Sequence, residues 1–422
     1  MKRSATPQKW RHCVAFVGSM VIASCSIAVA EEFSTSLKLT NGETLAGQVI
    51  ALRDGTLEFQ PAGEVAAAKS LALGEWLRWS HPVEQLGRPR VRISASTWLV
   101  TKKDWAGKVP IQIEGDTVTI DNETFGEVRL KRQQIDCILL EAAKEPAVAR
   151  RLLAEAGEPD AESDRVWLVE GDLLSGEVVS FDGTRLEFVL GDKPVPILAS
   201  RIAAVTFALP AQSESDAPKP VLLVGLADGS LIEALELRVD SDQLELTTPE
   251  GWQWSGERKD SLRYVQSLAP EIVYLSDLQP ADYRHTPYFA TSWPLARDRN
   301  LLGNSLTEGA HRYAKGLSMH SAARAVYRVP EGARRFCAEV AIDAIAGRRG
   351  SVVFRVYLLG NDNEGQGGLA SAYESTVVRG GEQPRSVSVD INGAQAVVLV
   401  VDYADFGDEL DHGDWLDARF VQ

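Results

Sequence analysis

Four times between residues 34 and 268 the chain repeats one pattern of apolar and turn residues. The third copy is the clearest: Trp167-Leu-Val, then Gly171-Asp-Leu-Leu-Ser-Gly176-Glu-Val178, then Asp182-Gly-Thr-Arg-Leu186-Glu-Phe188. The first runs from Leu39-Thr-Asn-Gly through Gly47-Gln-Val49 to Asp54-Gly-Thr-Leu57-Glu-Phe59. The second runs from Trp98-Leu-Val through Gly107-Lys-Val109 to Gly115-Asp-Thr-Val118-Thr-Ile120. The fourth has Val224-Gly-Leu-Ala-Asp228-Gly-Ser-Leu and then Asp240-Ser-Asp-Gln-Leu244-Glu-Leu246. Strict alternation of apolar and polar residues commits each segment to a half-buried strand. The Asp-Gly and Asn-Gly pairs supply the positive φ angles that tight hairpins need. Each copy closes with a further alternating stretch, such as Ile202-Ala-Ala-Val-Thr-Phe or Leu262-Arg-Tyr-Val. The pattern excludes a helical bundle and predicts short, meandering antiparallel sheets.

Five short strands with a glycine before the second (Gly47, Gly107, Gly176) resemble Sm-like and SH3-like small barrels, in which a glycine lets a strand turn a corner. The resemblance is to a fold pattern, and it carries no RNA-binding function with it. The expected layout places two copies in 34–140, a helical and polar connector at 141–164, and the third copy at 165–208. A linker follows at 209–220 and the fourth copy at 221–268. Glu141 to Ala156 favours helix by propensity, with Pro146 splitting it or opening its first turn. Ser213-Glu-Ser-Asp-Ala-Pro-Lys-Pro is the plainest linker in the chain.

From residue 271 the pattern changes. Ser351-Val-Val-Phe-Arg-Val-Tyr-Leu and Ser386-Val-Ser-Val-Asp-Ile alternate, whereas Ala396-Val-Val-Leu-Val-Val is apolar throughout, as a strand covered on both faces must be. Regular strands joined by long polar loops predict a β-sandwich. An ordered series of segments then narrows the fold: Glu271-Ile-Val-Tyr-Leu-Ser-Asp-Leu, Trp293, Tyr313-Ala-Lys-Gly-Leu-Ser-Met-His-Ser, Arg335-Phe, Gly350-Ser-Val-Val-Phe-Arg-Val-Tyr, Tyr373-Glu-Ser, and Asp411-His-Gly-Asp-Trp-Leu-Asp-Ala-Arg-Phe. Residues 271–422 with this series resemble the bacterial carbohydrate-binding module family NPCBM. The resemblance implies an all-β chain that ends in a jelly-roll sandwich of the galactose-binding kind, with a glycan ligand held by loops at one end.

The N-terminus reads as an export signal. Lys2, Arg3, Lys9 and Arg11 precede an apolar run from Val14 to Ile27, and Ala28-Val29-Ala30 fits a small-x-small cleavage site, giving a signal peptide at 1–30. The expected location is the periplasm, cell surface or exterior. Ile22-Ala23-Ser24-Cys25 also resembles a lipobox, and lipidation of Cys25 would attach the protein to a membrane. Loss of 1–30 leaves 40 basic against 59 acidic side chains, and such an acidic chain repels phosphate backbones, so nucleic acid is excluded as a partner. Cys137 and Cys337 then remain, read as buried free thiols in different domains.

Candidate chemistry concentrates in the last third. His320 and His412 lie in the two most family-like segments. Trp293, Trp415 and Tyr373 offer flat rings for the apolar face of a pyranose, and Asp411 and Asp414 offer acceptors for its hydroxyls. The expected carbohydrate site therefore comprises His320, Asp411, His412, Asp414 and Trp415, with Trp293 and Tyr373 as further contacts. The acids between Asp402 and Asp417 have no basic residue among them, and like charges so crowded must be solvated or neutralised. A structural calcium held by Asp402, Asp405 and Asp408 is one way to neutralise them. Catalytic signatures are absent: no Gly-x-Ser-x-Gly, His-Glu-x-x-His or phosphate loop occurs. Gly365-Gln-Gly-Gly-Leu-Ala370 fits a loose dinucleotide pattern but opens no helix of the right length. The expectation is a non-catalytic carbohydrate-binding protein. The alternatives are a cell-surface scaffold that binds protein partners through the repeats, and a divergent glycoside hydrolase.

Overall fold

Alternation in the sequence becomes alternation in burial. In Ile111–Glu114 the two isoleucines are buried and Gln112 and Glu114 exposed, and Leu244 and Leu246 are buried in the same way within Gln243–Thr247. The computed structural model describes residues 36–63, 67–83, 88–93, 96–103, 107–140, 163–208, 218–240, 243–257, 261–288, 291–361, 367–405 and 407–422. All of them belong to one compact unit, Ser34–Gln422. The expected signal segment with Cys25, the helix-favouring stretch at 141–156 and most of the 209–220 linker lie outside the described residues. Among the described residues the regular structure is strands and short 3-10 turns.

Three of the four copies share a pairing scheme in which the first strand lies between the second and the last. Ser36–Leu39 is flanked by Thr44–Arg53 and Trp76–Trp79. Asp164–Leu168 is flanked by Leu173–Phe181 and Ile202–Thr206, and Leu222–Leu226 by Leu231–Ala234 and Leu262–Ser267. The second copy departs from the expected register. Its first strand is Arg90–Arg92, flanked by Trp98–Val100 and Cys137–Leu139, so Trp98-Leu-Val is the second strand. Arg90-Val-Arg hides its strand character because its outer residues are charged. The Trp98 ring explains how they are accommodated, with the Arg90 and Arg92 guanidiniums 4.9 and 5.6 Å from its centroid.

The closing strands pair with each other across copies. Trp76–Trp79 joins Leu262–Ser267, and Cys137–Leu139 joins Ile202–Thr206. The first copy thus associates with the fourth and the second with the third, within one 22-stranded hydrogen-bonded network. A single apolar cluster runs through all four, from Leu37 and Ile111 to Phe188 and Val265. Gly176 shows why a glycine is needed before the bend. A Cβ there would sit 2.8 Å from Phe188 Cζ and closer still to the Val189 carbonyl oxygen. Gly47 meets Phe59 in the same manner, whereas a Cβ on Gly107 would find nothing within 4 Å.

Residues 271–422 form a sandwich. One sheet has the order Ala296–Arg297, Gly316–His320, His412–Val421, Arg335–Ile342, Arg385–Asp390, with Ile272–Tyr274 added beside the far end of His412–Val421. The other has the order Asp282–His285, Ala323–Arg328, Ala396–Tyr403, Ser351–Asn361, Gly367–Glu374. Leu317, Met319, Phe336, Phe354, Val356, Leu399 and Trp415 fill the space between them. Burial of this much apolar surface, at about 25 cal/mol per Å2, is the main source of stability. The strand His412–Val421 is central and buried from His412 to Phe420. Its outer face is covered by the hairpin of Leu306–Glu308 and His311–Tyr313 and by the first copy, which places Arg78 against Asp417.

Candidate functional site

The site grows out of one register. Gly316–His320 runs antiparallel to His412–Val421 with Ser318 opposite Asp414 and His320 opposite His412, so the two imidazoles end their strands side by side. Their ring centroids are 5.8 Å apart. Both strands stop abruptly there: Ala322 and Leu410 adopt φ of 58°, a left-handed turn that ends pairing. From the other sheet, Asp282–His285 delivers His285 edge-on to His320, 5.5 Å between centroids. The chain leaving that strand returns with Trp293, whose indole lies parallel to the His320 ring at 5.3 Å and 1°. Its backbone N–H donates to His285 Nδ1 at 3.1 Å, and Tyr283 Oη donates to its carbonyl at 2.9 Å. Trp293 is half-buried, so this anchored ring keeps part of its surface in solvent.

The surroundings keep the histidines neutral. Burial, reinforced by His412 and His285, pushes His320 down to about 4. Burial also lowers His412 and His285. Asp411 moves the opposite way, to about 6, because burial outweighs the N–H that Ser351 donates to its Oδ1 at 2.8 Å. His412 Nδ1 is buried with no hydrogen-bond partner among the described residues. Apart from the Trp293 N–H on His285, the His285 and His320 rings have only the Ser321 backbone as a hydrogen-bonding neighbour, without a well-formed bond. Unmet polar atoms beside a partly exposed, rigid indole are what a polyhydroxylated ligand requires.

The expected site residues divide into two groups. His320, His412 and Trp293 come together. Trp415 does not join them, because it is a core residue. It is 0% exposed and packs edge-to-face on Phe354 at 5.1 Å, so no ring face is free for a sugar. Asp414 is equally buried, beside Asp343 and Ser318, and burial followed by the Asp343 charge holds its carboxyl well above the ordinary range. Asp411 is fully buried and fixes the turn into Ser351. Asp414 and Trp415 share one reason: Asp411-His-Gly-Asp-Trp reads as a polar loop, but from His412 onward it is the central strand. Tyr373 sits on Gly367–Glu374, three strands from the one that follows His320, or roughly 14 Å at ordinary strand spacing.

Three acids of the segment are paired with arginines, two from neighbouring strands and one from the turn before Ser351–Asn361. Arg355 donates to Asp402 at 2.8 Å, Arg379 to Asp405 at 2.6 Å and Arg349 to Glu409 at 2.8 Å. Asp402, Asp405 and Asp408 therefore do not converge, and among the described residues no group of three or more His, Cys, Asp or Glu side chains is arranged to hold a metal. Sequence reasoning missed His285. Its signal was the alternation of Asp282-Tyr-Arg-His, a short strand that ends eight residues before Trp293.

Residues 271–421 match the NPCBM/NEW2 domain. A Renibacterium salmoninarum protein named "Putative endo-alpha-N-acetylgalactosaminidase" is 33% identical over 119 residues, which is 28% of this chain and 7% of that protein. This chain thus spans only a small part of that relative. Among solved structures, the CBM51 of Clostridium perfringens GH95 in complex with methyl-galactose is 28% identical, covering 36% of this chain and 99% of that one, with a TM-score of 0.30. The CBM51-2 and INT domains of Clostridium perfringens ZmpB, in complex with GlcNAc, are 25% identical over 50% of this chain and 40% of that one, with a TM-score of 0.31.

Proposed function

We propose that this is an exported, non-catalytic carbohydrate-binding protein whose NPCBM/NEW2 domain takes a galactose-type sugar at the end of the sandwich where Trp293, His320, His285 and His412 meet. The observation that carries the reading is the parallel stack of a half-exposed Trp293 on His320, inside the matched domain, with unmet imidazole nitrogens around it. A pyranose would lay its C–H face on the indole and hydrogen-bond its hydroxyls to the neutral imidazoles. The four N-terminal copies, read as SH3-like units, serve as a platform that holds the domain. Calorimetric titration of the whole chain with methyl-galactose and N-acetylglucosamine, alongside Trp293→Ala, tests the reading. Binding by the parent that the variant loses, with an unchanged melting curve, supports it. Equal binding by the variant moves the site elsewhere.

A second reading, a scaffold for surface protein partners, rests on Val179, Leu190 and Leu198, which stand exposed on Leu173–Phe181, Arg185–Leu190 and Lys193–Leu198. Deletion of these strands would abolish partner capture if it held, and removal of the NPCBM/NEW2 domain would not.

A further inference from the structure

A second polar cleft lies away from Trp293, between the first repeat copy and the hairpin of Leu306–Glu308 and His311–Tyr313. Its volume is about 210 Å3, the scale of one monosaccharide ring with its water. One wall is Lys38, Arg78 and His81. The other is Glu308, His311 and Glu339. Most of these groups are already committed. Lys38 Nζ bonds Glu339 at 2.7 Å, and Arg78 bonds Asp417 at 2.8 Å and Glu339 at 3.3 Å. The His81 ring sits between a donor and an acceptor: Nε2 accepts from Arg78 at 2.9 Å, so Nδ1 carries the proton and donates to the Arg312 carbonyl at 2.9 Å. That fixes a neutral ring, and His311 stacks on it at 4.5 Å.

Glu308 is the exception. It is 4% exposed, opposes His311 across the hairpin and lines the cleft, and no described side chain or backbone N–H donates to its carboxylate. Its oxygens open onto the cleft, where a ligand hydroxyl can take the place of water as the donor. Lys38 and Arg78 are taken up by Glu339 and Asp417 and leave no free cation for an anionic ligand. A neutral molecule rich in hydroxyl groups can donate to Glu308 without displacing those pairs.

We propose that this cleft is a second saccharide site, formed jointly by the repeats and the NPCBM/NEW2 domain, in which one neutral pyranose donates a hydroxyl to Glu308 and rests beside His311. Thr44 and Gln383 stand exposed at its rim and offer further polar contacts. The site is independent of the one at Trp293, since it uses none of the same residues. A domain cut free of the repeats would lose half of it.

The test uses the full chain, with methyl-galactose and N-acetylglucosamine as separate probes. The imidazole nitrogen signals of His81 and His311 report on this cleft, and the indole signal of Trp293 reports on the other site. A probe that occupies the cleft shifts the His311 signals. Glu308→Gln, which keeps the shape and removes the charge, should weaken that response at least ten-fold, while Trp293→Ala leaves it intact. Gln383→Ala, on the exposed rim, should weaken it without any risk to folding. Failure of both probes to move the His81 and His311 signals overturns the proposal, as does an unchanged response in both Glu308→Gln and Gln383→Ala. Loss of the response in Trp293→Ala would likewise sink it, because the two sites would then be one.

Discussion

Trp293 and Trp415 show how much one residue's surroundings decide. Both looked suited to sugar stacking, yet one ring is pinned with a surface in solvent and the other fills the core. Trp293→Ala should therefore weaken sugar binding about ten-fold or more with no loss of stability, since an aromatic stack is worth about 0.5–1.5 kcal/mol beyond the area it buries. Trp415→Ala should cost about 3–5 kcal/mol of folding stability, which a denaturant titration would show directly. His320 makes a prediction with a defined sign. Its pKa falls from 6.5 to about 4 on folding, so between those values the unfolded chain binds more protons. Its neutral burial thus favours the fold above pH 6.5 and loses that advantage as the pH drops toward 4. His320→Asn should accordingly be relatively more stable, compared with the parent, at pH 4 than at pH 7, as melts at the two values would reveal. Asp414 runs the other way. Its raised pKa means that stability is lost as the pH climbs above the ordinary carboxylate range, and Asp414→Asn, which holds no ionisable proton, should melt at or above the parent temperature at pH 7.

At the scale of strands, legibility tracked local pattern. Ile111–Glu114 and Ser351–Asn361 announce themselves by alternation, and the paired strands around Asp182-Gly183 follow from turn chemistry alone. Two kinds of element stayed hidden. Arg90–Arg92 carries its charges on a strand because Trp98 covers them, and that neighbour is visible only once the fold is known. His412–Val421 carries Asp417 into the interior because Arg78 waits there from a distant part of the sequence, and it carries Asp414 in with a carboxyl whose pKa burial and the Asp343 charge raise. The candidate site divides along the same line. Its family-like histidines and tryptophan could be named, but which acids face inward depends on long-range contacts that no local pattern encodes. Gly176 was legible, and its reason is steric. Gly176→Ala would drive a methyl group into Phe188 and the Val189 carbonyl, and overpacking of this kind costs about 1–3 kcal/mol. Urea unfolding of that variant should show a lower midpoint with an unchanged slope, and an unchanged midpoint would mean the two strands separate freely.

The repeats and the NPCBM/NEW2 domain are joined by buried charge as well as by apolar surface. Arg78 is the centre of that joint. Its guanidinium bonds Asp417, Glu339 and the Ser80 carbonyl and lies 5.0 Å from the Tyr313 ring. Asp417 occupies a bulge at φ 48°, and its second oxygen accepts from Gln266, which in turn donates to Tyr274. Arg419 adds a bond to the Thr40 carbonyl at 3.2 Å. Burial alone would raise Glu339, yet Arg78 and Lys38 hold it below the usual range, so the pairing outweighs desolvation there. Buried pairs of this kind contribute little over an apolar joint of equal shape, but breaking one from a single side strands the partner charge. Arg78→Met leaves Asp417 and half of Glu339 uncompensated in the interior, at a cost of about 3–5 kcal/mol. The double variant Arg78→Met, Asp417→Leu removes both charges and should recover most of that loss. Calorimetry distinguishes the outcomes. If this network makes the chain unfold as one unit, the parent shows one transition, Arg78→Met resolves into two as the sandwich and the repeats melt apart, and the double variant returns to one. A single unshifted transition in Arg78→Met would instead assign the joint to the apolar contacts of Leu77, Ala269, Ile272 and Tyr274, the other cluster that spans it.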